Sequence, residues 1–187
     1  MRVNRVPRFT LAAARLLMPF GLRRQALEQL FARTAAAFGT PLPPADTRGT
    51  PGRLAEYARF TRARAEEALR RGEDLSSLDH RLYRAAYGLG ASYRLRLRVR
   101  SLPGAMAAAR LIYRNLGIDF RGTPDGEVIV RRCAFARVYS PEVCALVSAL
   151  DRGLMAGLAR GGELRFRQRI TEGADSCRAC LEGARCA

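Results

Sequence analysis

Five cysteines stand in the last third of the chain: Cys133, Cys144, Cys177, Cys180 and Cys186. Asp151, Glu172 and Asp175 are interspersed with them. Thiols and carboxylates in this mixture suit two kinds of chemistry. In the first, thiolates bind a soft metal. Cys177-x-x-Cys180, joined by Cys186, Cys133 or Cys144, has the ligand types of a tetrahedral zinc site. In the second, one thiolate attacks an electrophilic carbon and a carboxylate handles the proton. That role needs a depressed thiol pKa, and Arg131, Arg132 and Arg178 are the cations nearest in sequence. Taken singly, each cysteine also fits as a small apolar core residue.

Composition removes many other chemistries. All 33 basic residues among the 187 are arginine. Without lysine there is no P-loop lysine, no Schiff base and no pyridoxal anchor. His80 is the single histidine, which excludes metal sites built on two or three. No G-x-S-x-G elbow accompanies it. The formal charge of +16 favours anionic ligands. The all-arginine bias makes part of that charge compositional, so nucleic acid is not the expected partner. An odd cysteine count with no signal peptide points to a reducing cytoplasm. No stretch is long and apolar enough to span a bilayer.

The elements that must position these groups follow from periodicity. Residues 8–18 and 22–38 read as helices broken by Pro19 and Gly21. Residues 39–52 form a Pro/Gly-rich linker, so 1–50 is expected as a helical extension and 51–187 as the domain carrying the cluster. Residues 53–71 are helical, with Gly72 as a stop. Residues 77–100 are expected as a helix capped by Ser77, although YRLRLRVR at 93–100 alternates as a strand would. Another helix runs from Pro103 to Leu116. IDFRG and EVIVRRCAF flank a TPDG turn as a hairpin. Pro141 opens a helix that Gly161-Gly162 ends. ELRFRQRI and CRACL then make a second hairpin. The fold class is α+β: a helical amino-terminal region, then a small antiparallel sheet packed with helices.

On the helix opened by Pro141, Cys144 and Asp151 lie two turns apart and share a face. The second hairpin is placed to bring Glu172, Asp175 and Cys177 to that face, with Gly173 supplying a turn of positive φ. Three stretches, RRCAFARVYSPEVC (131–144), ALD (149–151) and LRFRQRITEGADSCRA (164–179), resemble the carboxy-terminal pattern of the L-2-amino-thiazoline-4-carboxylic acid hydrolase-like family. The shared features are a strand ending in Cys133, then Cys144, Asp151 on the following helix, and a strand into Glu172-Gly173-x-Asp175-x-Cys177. The likeness spans about residues 100–181. The layout is also similar to the 4-vinyl-reductase-type small-molecule-binding domain, whose members can hold zinc through carboxy-terminal cysteines.

The first resemblance implies hydrolytic opening of a thiazoline ring to a carbamoyl product. Cys177 or Cys133 is then the nucleophile and Glu172 or Asp175 the acid/base. Asp151 holds a substrate nitrogen, and Arg169 pairs with a substrate carboxylate. The implied partner is a small anionic molecule. The second resemblance implies a binding module without catalysis.

Overall fold

The computed structural model describes residues 20–44 and 49–183. The helix expected over 8–18, and Cys186, lie outside the described residues. Among the described residues, five helices and four strands make an α+β fold: α1 (Phe20–Ala37), α2 (Gly49–Arg71), α3 (Leu75–Arg96), α4 (Leu102–Asn115), β1 (Ile118–Gly122), β2 (Glu127–Cys133), α5 (Pro141–Ala159), β3 (Glu163–Gln168) and β4 (Cys177–Glu182). Short 3₁₀ turns at Ala134–Arg137 and Ile170–Glu172 follow β2 and β3.

The strands form one antiparallel sheet in the order β1-β2-β4-β3. The last strand thus lies inside the sheet, with Val130 opposite Cys177 on one side and Phe166 opposite Ala179 on the other. Phe120, Val128, Val130, Leu164, Ala179 and Leu181 face the helices and join the core. The other face is polar and exposed, where Arg165 pairs with Glu163 and Glu182, and Arg167 with Glu127.

Two one-residue bulges interrupt this alternation. Ile118 pairs with Cys133 but Phe120 with Val130, so Arg131 and Arg132 together oppose Asp119. Phe166 pairs with Ala179 but Gln168 with Arg178, so Arg167 is the extra residue of β3. Each bulge reverses the side to which the following residue points. Cys133 and Arg169 are those residues.

The stretch YRLRLRVR is helical as far as Arg96, because Leu82, Ala86, Leu89 and Tyr93 bury one continuous face of α3. The helix cap is Asp74, whose side chain accepts from the Ser77 N–H at 3.1 Å, rather than Ser77 itself. α5 ends at Arg160, which takes the left-handed conformation ahead of Gly161 and Gly162. α3 and α5 meet through glycine. A Cβ on Gly153 would stand 2.1 Å from the Tyr83 carbonyl oxygen, and one on Gly90 would stand 2.3 Å from that of Leu154. The backbones are therefore in direct contact, and α5 sits at a fixed depth against α3.

α1 is part of this body. Leu27 and Phe31 share a buried cluster with Tyr57, Ala58 and Phe135. Arg53 of α2 ties it down: Nε and Nη2 donate to Glu28 at 2.9 and 2.8 Å, and Nη1 donates to Glu56 at 2.8 Å. Its remaining donors reach the carbonyls of Pro43 and Pro44, inside the stretch read from sequence as a linker.

Candidate active site

A cavity of about 110 Å³ lies between α1, α3, α4 and α5 and the end of β2. Its wall is mostly apolar, with Leu27, Leu89, Ile112, Leu116 and Leu154 among its residues. The exceptions are Tyr57, Tyr93, Tyr113, Asn115, Tyr139, Ser148, Asp151, Cys133 and Cys144.

Asp151 is the centre of the polar groups. It projects from α5 one helix face along from Cys144, as the spacing of seven residues predicts. The Tyr113 hydroxyl donates to its Oδ1 at 2.8 Å. The Tyr113 ring is set by stacking on Phe120, with centroids 4.9 Å apart. Burial pushes the Asp151 carboxyl up to about 6, while the Tyr113 hydrogen bond and the charges of Arg169 and Arg152 oppose the shift. Its negative charge in turn raises Tyr57, Tyr113 and Tyr139, after burial as the main cause.

The tyrosine hydroxyls are held as donors. Thr34 spends its one proton on the Leu30 carbonyl at 2.8 Å, so Tyr57 donates to Thr34 Oγ1, 3.2 Å away. Thr61 likewise donates to the Tyr57 and Ala58 carbonyls and accepts from Tyr139.

The thiols differ from expectation. Cys133, at the bulged end of β2, is pushed up to about 11, chiefly by burial. Burial also raises Cys144 and Cys177. Arg131, Arg132 and Arg178 are exposed and do not lower them. The cation that does act is Arg169, which favours the thiolates of Cys144 and Cys177. No thiol of the three is ionised at rest at neutral pH.

Of the residues singled out by sequence, Cys133, Cys144 and Asp151 share the cavity wall. Cys177 and Arg169 stand close behind it. The Cys177 Sγ accepts from the Ile170 N–H at 3.4 Å, and the Asp151 charge raises this thiol too. Arg169 lies over the Phe166 ring, 4.6 Å from its centroid, and its Nε is buried with no hydrogen-bond partner among the described residues. Glu172 and Asp175 are on the surface, and Glu172 accepts from Arg169 Nη1 at 3.1 Å. Gly173 has a φ of 92°, as its turn requires.

Cys180 is not brought to this place. Strand alternation puts Cys177 with Ala179 and Leu181 on the helix side of β4, and Cys180 on the opposite side. The zinc pair expected at Cys177 and Cys180 therefore points two ways. Among the described residues no group of three or more His, Cys, Asp or Glu side chains could hold a metal ion. No helix among them is long and apolar enough to cross a membrane.

Sequence reading missed Tyr57, Tyr113 and Tyr139. Their hydroxyl partners come from elements 23, 38 and 78 residues away, so no local spacing marks them. No family model, no curated protein and no solved structure matches the chain.

Proposed function

We propose that the protein is a small-molecule hydrolase of the 2-amino-thiazoline-4-carboxylate hydrolase type, opening a C–N or C–S bond of a cyclic amidine-like ring. Asp151 carries the reading. A carboxyl drawn to about 6 in an apolar cavity, beside two thiols and a tyrosine donor, is tuned for proton transfer near neutral pH.

Cys133 is the nucleophile in this reading and Asp151 the base. As Sγ bonds to the ring carbon, the thiol proton passes to ionised Asp151. Asp151 then returns that proton to the ring nitrogen or sulfur as its bond to carbon breaks. Water attacks the resulting S-linked adduct, frees the carbamoyl product and restores the thiol. The gap between about 11 and about 6 makes the first transfer roughly 7 kcal/mol uphill. One turnover per second tolerates a barrier of about 17 kcal/mol, so a thiol that is neutral at rest remains usable. The Tyr113 hydroxyl donates to Asp151 and favours its ionised form as the base. The unpartnered Arg169 Nε supports an anionic substrate. Free thiols at the described cysteines fit a reducing cytoplasm.

The apolar majority of the wall favours a second reading, a non-catalytic small-molecule-binding module. Incubation with 2-amino-thiazoline-4-carboxylate and mass-spectrometric detection of the carbamoyl product separates the two. Turnover lost in Cys133→Ser and Asp151→Asn, and kept in Asp175→Asn, supports the hydrolase. Saturable binding without product supports the module. Unchanged turnover in Cys133→Ser removes the thiol mechanism.

A further inference from the structure

A second concavity, of about 470 Å³, opens on the surface beside the cavity, and Ile118 stands in both walls. Arg110, Arg114 and Arg132 line it, together with Gly117, Asp119 and Phe120. Arg110 and Arg114 are one helical turn apart on α4 and share a face. Arg132 comes from the bulge of β2, which widens that strand where it passes the end of α4.

Some arginines of the molecule find carboxylates: Arg53 with Glu28 and Glu56, Arg152 with Asp79, Arg165 with Glu163. The side chains of Arg110, Arg114 and Arg132 make no ion pair or hydrogen bond among the described residues. The one carboxylate in the wall, Asp119, is the ion-pair partner of Arg121, at 3.9 Å. Three guanidinium forks thus converge on a recess with one carboxylate that is already engaged. Like charges on one helix face repel, and a multivalent anion placed between them removes that repulsion. Guanidinium forks match phosphate oxygens in pairs.

We propose that Arg110, Arg114 and Arg132 form a binding site for a phosphate group, separate from the Asp151 cavity. The phosphate can arrive as the free dianion, as a phosphomonoester or as an anionic phospholipid headgroup, since the cleft is exposed to all three.

The test is titration of the full chain by calorimetry with inorganic phosphate, with a simple phosphomonoester, and with vesicles of phosphatidylcholine containing phosphatidic acid. Saturable binding to at least one is expected, weakened ten-fold or more by Arg110→Ala, Arg114→Ala or Arg132→Ala. Arg131→Ala and Arg178→Ala, on the outer face of the sheet, serve as controls and leave it unchanged. The tightest of the three probes identifies the source. Phosphorus NMR line broadening that persists in Arg132→Gln but not in the control variants would overturn the site. So would equal weakening by all five substitutions, which marks general attraction to a basic surface. No saturable binding of any probe overturns it as well. None of these readouts depends on turnover.

Discussion

Cys133 points to the same side of the sheet as Val130, although the two are three residues apart on one strand. Alternation alone would put them on opposite faces. The bulge at Arg131–Arg132 restores the match, and a second bulge at Arg167 does the same for Arg169. The first bulge brings Cys133 to the cavity wall, and the second turns Arg169 to the helix side of the sheet, behind that wall.

Removing the Asp151 charge should separate stability from activity. The folded pKa, about 6, is above the unfolded value near 3.8, so this group stabilises the fold fully below pH 3.8. That contribution is lost as pH rises through 6. Above pH 7 the buried charge costs on the order of 2–3 kcal/mol. Asp151→Asn should therefore melt several degrees higher than the parent at pH 8, and match it near pH 4, while turnover falls a hundred-fold or more. Thermal melts across pH check the first part. Equal melting of the two proteins at pH 8 would contradict the buried charge.

Tyr113→Phe should move the acid limb of the rate profile upward. The lost hydroxyl is a donor to the carboxylate and lowers its pKa. Without it the ionised form is less favoured, and stability at pH 8 should drop by roughly 1.5–3 kcal/mol. The pH dependence of turnover, or of melting where turnover is absent, measures the shift.

Thiol reactivity should be low at neutral pH. Iodoacetamide labelling read by mass spectrometry should find Cys133 nearly unmodified at pH 7.5, with its rate still climbing beyond pH 9. Fast modification of Cys133 at pH 7 would mean that the resting thiol is ionised after all.

Gly153→Ala should be among the most destabilising small substitutions. Its methyl group would meet the Tyr83 carbonyl at 2.1 Å, and backbone on both helices must shift. A loss of about 3 kcal/mol is expected, visible in urea melts. Because α5 carries Cys144 and Asp151, the same shift should reduce turnover more than a surface change of equal size.

Arg53→Ala should loosen α1. Glu28 and Glu56 would lose their shared cation, at a cost of about 3 kcal/mol. Ala26, Leu27 and Leu30 form one wall of the cavity, so its protection against hydrogen exchange should fall first along α1.

The element types and their order were legible, because 3.6-residue and 2-residue periodicities are local properties. So was the shared face of Cys144 and Asp151. The direction of Cys133 and of Arg169 was not, since a bulge is set by the partner strand. The C-x-x-C at 177–180 misled for the opposite reason. On a strand its spacing separates the sulfurs, and only a turn there would have joined them. The sign of the thiol shifts was also hidden, because sequence neighbours such as Arg131 face solvent while burial comes from distant helices. The burial of Arg53, which holds α1 through Glu28, carries no sign in sequence either.

The interior place of β4 has a consequence for how the molecule is made. Until residues 177–182 have left the ribosome, β2 and β3 have no strand between them and each shows a bare ladder of amides and carbonyls. Assembly of the sheet must wait for synthesis to pass that point. A nascent chain stalled before it would present two sticky edges, and chaperones would meet the protein in that half-built form.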